Sequence, residues 1–208
     1  PHGTLVYNDR MYISTRGGVT PSMISKLLVY PDCTDLSVFT SISLPTASTT
    51  GLDWNLDAIC YDPITDKIIA PITETKNLLI ADANNIASFT IVPITMTHNF
   101  GTTCPILTDG VGNIYTGIAG AGTETLVKIN TTSLTVVASN ALPGAPGIHA
   151  GTIDTASGFL YLTSIAGSNL HKVDITTLAF TTLALGTNVF TDDLLFYPAA
   201  FGNPNMII

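Results

Sequence analysis

The sequence predicts an all-β chain built from a repeated four-stranded unit. Three observations carry this. Helical periodicity is almost absent, and apolar residues alternate over short runs bounded by Gly, Pro, Asn and Asp. Thr, Val, Ile, Tyr and Phe fill those runs, as suits a pleated, half-buried surface. The third observation is a period. Ile69, Tyr115 and Tyr161 hold the same place in similar segments, 46 residues apart.

Each unit opens with a strand, a tight polar turn around Asp or Gly, and a second strand. These hairpins read 57–69, 103–115 and 149–161, with a shortened version at 2–12. Third strands follow at 26–30, 77–81, 125–129 and 170–174, and fourth strands at 38–42, 89–94, 134–138 and 180–185. Tyr12 lies further upstream of Ile69 than the period allows, which places an insertion at 46–55 and another at Gly17-Gly18. A fifth unit begins at Asp193 and reaches only its second strand, 205–208.

Four antiparallel strands at this period are the signature of propeller blades. The expected fold is therefore a β-propeller, or an arc of one, in a single domain. Its blades cover 2–45, 56–95, 103–142 and 149–186, with a partial blade over 192–208. A β-sandwich is the runner-up, and the regular period counts against it. A half-blade leaves an open strand edge, so more chain, the N-terminal region or another copy is expected to cover it.

Composition narrows the function. Of 208 residues, 46% are apolar and only 11% charged, which is ample material for a core and excludes disorder. Mean hydropathy is +0.42, yet no run of 18 apolar residues exists to span a membrane as a helix. Fifteen acidic residues against seven basic give a net charge of −8, and no Lys/Arg cluster is present, which excludes nucleic acid as the expected partner. The chain opens at Pro1 without a signal segment and closes on an apolar stretch, so both ends are expected to be cut, by processing or from a longer chain. Cys33, Cys60 and Cys104 have no metal-binding spacing, and Cys60 and Cys104 are expected to be free and buried. Low Lys and high Thr content suits an extracellular, cell-surface or virion protein.

The segment Pro146-Gly-Ile-His-Ala-Gly-Thr-Ile-Asp-Thr-Ala-Ser-Gly-Phe-Leu-Tyr161, with Ser168-Asn-Leu-His-Lys-Val-Asp-Ile-Thr-Thr177 behind it, resembles a repeat of the YVTN/NHL type of β-propeller. That broad group includes surface-layer propellers, streptogramin lyases and gluconolactonase-like enzymes. The resemblance implies the fold and leaves the activity open. The middle units lack the Pro-Gly-Ile opening, and no WD40 signature is present: Trp54 precedes Asn55.

In propellers the first strand of each blade lines the central channel. The positions at its mouth are His2, Asp57, Thr103, His149 and Asp193. Two imidazoles and two carboxylates there can hold a divalent metal, or act as an acid/base pair for lyase or lactonase chemistry, with His149 and Asp57 as the catalytic candidates. The plainer reading is a set of solvated strand starts. His98 reads as loop packing beside Phe100, and His171 as an exposed sheet residue. Asp62, Asp66, Asp109 and Asp154 read as turn formers. The glycines at 117–122 precede no helix and make no phosphate loop, and no Gly-x-Ser-x-Gly nucleophile elbow exists. Asn130-Thr131-Thr132 is a glycosylation sequon. Leu78, Ile80, Tyr115, Leu126, Ile129 and Tyr161 are expected in the core.

The function expected from these residues is a non-catalytic extracellular propeller, a structural or binding module of a cell-surface, filament or virion assembly. Its expected partners are other copies or a larger parent assembly, and no cofactor is expected. The alternative is a metal-assisted lyase or lactonase at the channel mouth.

Overall fold

The computed structural model describes residues 3–15, 26–43, 56–101, 104–119, 124–142, 147–164, 169–185, 195–197 and 205–207. The expected insertions at 17–18 and 46–55 lie outside them, as do His2, Thr103 and Asp193. Every described element is a β-strand.

Four antiparallel four-stranded sheets follow one another along the chain. The first is β1 (Thr4–Tyr7), β2 (Arg10–Ser14), β3 (Lys26–Tyr30) and β4 (Thr40–Ser43). The second is β5 (Cys60–Asp62), β6 (Lys67–Ile72), β7 (Asn77–Asp82) and β8 (Phe89–Pro93). The third is β9 (Ile106–Thr108), β10 (Asn113–Ala119), β11 (Glu124–Asn130) and β12 (Thr135–Leu142). The fourth is β13 (Ile148–Asp154), β14 (Phe159–Ser164), β15 (Asn169–Asp174) and β16 (Phe180–Ala184). A two-stranded sheet, β17 (Leu195–Tyr197) with β18 (Asn205–Ile207), begins a fifth unit. Inner strands meet in chain order: β1 with β5, β5 with β9, β9 with β13, and β13 with β17. This is the blade succession of a propeller.

The turns explain the hairpins. Between β1 and β2, Asn8 and Asp9 both take positive φ, 49° and 59°, as a two-residue hairpin turn requires, which is why this hairpin is short. In the longer hairpins an aspartate holds the turn. The Asp62 carboxylate accepts from the Thr65 amide and hydroxyl, Asp109 from the Val111 and Asn113 amides, and Asp154 from the Ala156 and Ser157 amides. Asp66 adopts positive φ and accepts from the Tyr61 hydroxyl and the Asn84 amide group. All four aspartates are structural, as expected.

The turns after the third strands of blades two, three and four use the same device. Asp82, Asn130 and Asp174 each accept two amides from the residues that follow. In the last two of these turns a leucine, Leu134 or Leu178, takes φ near +55°. That conformation costs about 1 kcal/mol for a side chain with a Cβ. Burial of Leu178 in the seam between blades three and four offsets it. Two fourth strands start later than expected, at Thr135 rather than Leu134 and at Thr40 rather than Val38, while those at Phe89 and Phe180 start as expected.

The core is a series of seams. Tyr12, Leu27 and Val29 of the first blade pack on Ile68, Ala70 and Leu79 of the second. Ile69 and Leu78 pack on Ile114 and Ile129, then Tyr115 and Leu126 on Leu160 and Val173. Four of the six expected core residues are fully buried, while Ile80 and Tyr161 are only half-buried. His171 corrects the sequence reading: it is fully buried, not exposed. The period of two decides this. Lys172 points outward, with its ammonium 3.9 Å from the Phe159 ring, so His171 must point into the seam. There its Nδ1 lies 3.0 Å from the Thr182 hydroxyl, and its ring meets Phe180 edge-on. Burial lowers its pKa.

Candidate functional site

Antiparallel pairing fixes which residues share the channel mouth. β9 leaves that end, β10 returns to it, and β11 leaves again, so Cys104, Ala119 and Glu124 lie together there. Asp57, just before β5, and His149, on β13, occupy the same level of their blades. Asp57 is buried and His149 half-buried. His2, Thr103 and Asp193 lie outside the described residues.

The sequence reading missed the residue that organises this end. Glu124 is only 5% exposed, and its carboxylate accepts the amide hydrogen of Ile148, the first residue of the next blade. Burial pushes its carboxyl up to about 7, against the pull of that amide. The backbone is built around this group. A Cβ added to Gly101 would stand 2.6 Å from its Oε1, and one added to Gly117 2.8 Å. The glycines were visible in the sequence, but as a failed phosphate loop. What they make room for is an acid from the adjacent strand.

Cys104 lies beside it. Its thiol meets the Gly101 carbonyl at 3.5 Å. Burial pushes the thiol up to about 12, and the Glu124 and Asp57 carboxylates act in the same direction. Asp57, Cys104 and Glu124 therefore share one electrostatic neighbourhood. Cys60 is also buried, its thiol raised by desolvation and by Asp62. All three cysteines are free. Among the described residues, no three His, Cys, Asp or Glu side chains are grouped to hold a metal.

The other candidates are placed as follows. His98 is exposed in a loop. Asn130 is half-buried, and both ends of its side-chain amide are used: Nδ2 donates to the Gly112 carbonyl, and Oδ1 accepts from Thr132 and Ser133.

The sequence matches no family model and no curated protein. Solved structures do match. AztD from Citrobacter koseri is 16% identical over 88% of this chain, with a TM-score of 0.52. A chain of a nidogen/laminin complex is 13% identical over 94%, with a TM-score of 0.62. Streptogramin B lyase is 14% identical over 92%, with a TM-score of 0.63. The chain spans 46%, 68% and 57% of those three chains, respectively. At these identities the likeness shows one thing, the β-propeller fold that the repeats predict.

Proposed function

We propose that this chain is a non-catalytic extracellular propeller, a structural or binding module of a cell-surface, filament or virion assembly. One observation carries the reading. The buried acid at the channel mouth, Glu124, is engaged in joining two blades, and the buried thiol beside it is unreactive. Glu124 holds the Ile148 amide, and the Cys104 thiol, at about 12, is a poor nucleophile. The low share of charged residues and the Thr-rich strands support an extracellular setting, and the match to a chain of a nidogen/laminin complex supports a role in protein contacts.

The second reading, a metal-assisted lyase or lactonase, also has an observation in its favour. A carboxyl held near 7 bonds the residue preceding His149, and a group titrating there suits acid/base work at neutral pH. Elemental analysis of the purified protein decides between them. The module reading expects no stoichiometric metal and no turnover of lactone or cyclic depsipeptide substrates. A bound divalent metal that is lost, along with turnover, in the His149→Ala, Asp57→Ala double variant would overturn it.

A further inference from the structure

Tyr7 closes β1 and Tyr61 sits within β5, at the opposite end of these inner strands from the channel mouth. The two strands are neighbours across the seam between blades one and two. There the phenol rings stack face to face, with centroids 3.6 Å apart and planes 21° from parallel. So short a centroid distance leaves little room for an offset. Aromatic pairs that merely pack prefer an offset or edge-on arrangement, with centroids about 4.5–7 Å apart. The hydroxyls meet as well, at 2.7 Å, so the hydroxyl end of the stack is its closer end. The Tyr61 hydroxyl also lies 2.9 Å from Asp66 Oδ1, and the Asn84 side-chain amide holds the other oxygen of that carboxylate at 3.0 Å. Both tyrosines are half-buried, whereas Tyr12 and Tyr115 are sealed inside their seams.

We propose that Tyr7 and Tyr61 are a modification site, joined through their rings into a dityrosine cross-link by a haem peroxidase with hydrogen peroxide. The geometry supplies what the coupling needs. Each phenol gives up one electron and its hydroxyl proton, and the Asp66 carboxylate stands within hydrogen-bond distance to take the proton of Tyr61. The phenoxyl radicals carry unpaired spin on the carbons ortho to oxygen. Stacked rings with their hydroxyls together bring those carbons face to face, and one carbon–carbon bond forms between the rings. The ortho hydrogen at each end of that bond then leaves as a proton, and a proton returns to each oxygen. The pair loses two hydrogen atoms in all. The peroxide takes up two electrons and two protons and becomes two waters. The product ties residues 54 positions apart and fastens the first blade to the second. Like a disulfide, it removes loop entropy from the unfolded chain. This goes beyond the assembly reading and holds whichever function the channel mouth serves.

The test exposes the dilute 208-residue chain to a haem peroxidase with limiting hydrogen peroxide, and reads dityrosine fluorescence and peptide mass. Tyr7→Phe and Tyr61→Phe each remove one phenol oxygen and keep the ring. Tyr30→Phe is the control, since Tyr30 is half-buried like them but lies beside Phe39. Far-UV circular dichroism checks that all three variants fold. The expected product is a monomer two hydrogens lighter, with its peptides joined between Tyr7 and Tyr61, at a yield per chain independent of protein concentration. Tyr7→Phe or Tyr61→Phe abolishes it and Tyr30→Phe retains it. The cross-linked chain unfolds at a higher urea concentration than the untreated one. Absence of dityrosine, a cross-link that survives Tyr61→Phe, or dityrosine found only between chains overturns the proposal. Asp66→Asn, which keeps an acceptor but no charge, should slow the coupling, and an unchanged rate overturns the part given to that carboxylate.

Discussion

The Tyr12 hydroxyl of the first blade donates to the Ala83 carbonyl of the second at 2.6 Å. Two blades on, the Tyr115 hydroxyl donates to the Ile175 carbonyl at 3.0 Å. Tyr12 and Tyr115 are equivalent second-strand residues, and Ala83 and Ile175 each follow the last residue of a third strand. The bond is a repeated latch between neighbouring sheets. A cation reinforces each acceptor: Arg10 also donates to the Ala83 carbonyl, and Lys128 to that of Ile175. The seam between blades two and three lacks the phenol, because Ile69 stands where Tyr would be. There Asp62 Oδ1 and Thr131 Oγ1 are buried without a protein hydrogen-bond partner.

Removing either phenol should weaken the molecule. Tyr12→Phe and Tyr115→Phe each delete one donor to a carbonyl that keeps its cationic partner, so each should cost about 1 kcal/mol. The two lie in different seams, and their costs should add. Urea unfolding of both single variants and the double checks this. No loss in either single variant would show that the latch contributes nothing.

Glu124 should make stability fall as pH rises. Its folded carboxyl titrates at about 7, above the ordinary 4.5, so the folded state favours the protonated form. The associated stability is complete below pH 4.5 and lost as pH rises to about 7. Its size is about 3 kcal/mol. Asp82 and Asp174, lowered by hydrogen bonds, act oppositely at acid pH. The informative quantity is therefore the difference between wild type and Glu124→Gln, which keeps an acceptor for the Ile148 amide. Wild type should lose stability relative to the variant between pH 5 and 7.5, by roughly the amount above. A constant difference would contradict the assignment.

Gly117→Ala should displace the Glu124 carboxylate and break its bond to the Ile148 amide. The added methyl needs space that Oε1 occupies. The expected cost is about 2 kcal/mol. In a Glu124→Ala background the methyl meets no carboxylate, and its cost should shrink to below about 1 kcal/mol. Equal costs in the two backgrounds would place the clash elsewhere.

Thiol titration should separate the cysteines. Cys33 is half-buried, while Cys60 and Cys104 are buried with raised pKa values. Native protein should react at Cys33 first, and unfolded, unreduced protein should show three thiols. A count of one would mean a disulfide and contradict the structure.

The strands were legible in the sequence because they repeat. Alternation, turn aspartates and the spacing of Ile69, Tyr115 and Tyr161 located them to within a few residues. What was not legible depends on neighbours in space. His171 looked exposed because Lys172 follows it, yet strand pairing sets it opposite Leu162, inside the seam. Tyr12 and Tyr115 were recognisable as equivalent, but the carbonyls they reach lie in the next blade. Glu124 gave no signal, since a lone acid at a strand start looks solvated. Only the close approach of Gly101, Gly117 and Ile148 reveals what it does.

The channel mouth is read as structural because the Glu124 carboxylate accepts the Ile148 amide hydrogen across the seam between blades three and four. Native-state hydrogen exchange at that amide, compared between wild type and Glu124→Ala, measures the bond directly. The Ile148 amide should be protected in wild type and exchange about tenfold faster in the variant, as loss of one buried hydrogen bond implies. Equal exchange in the two proteins would contradict the structural role of Glu124.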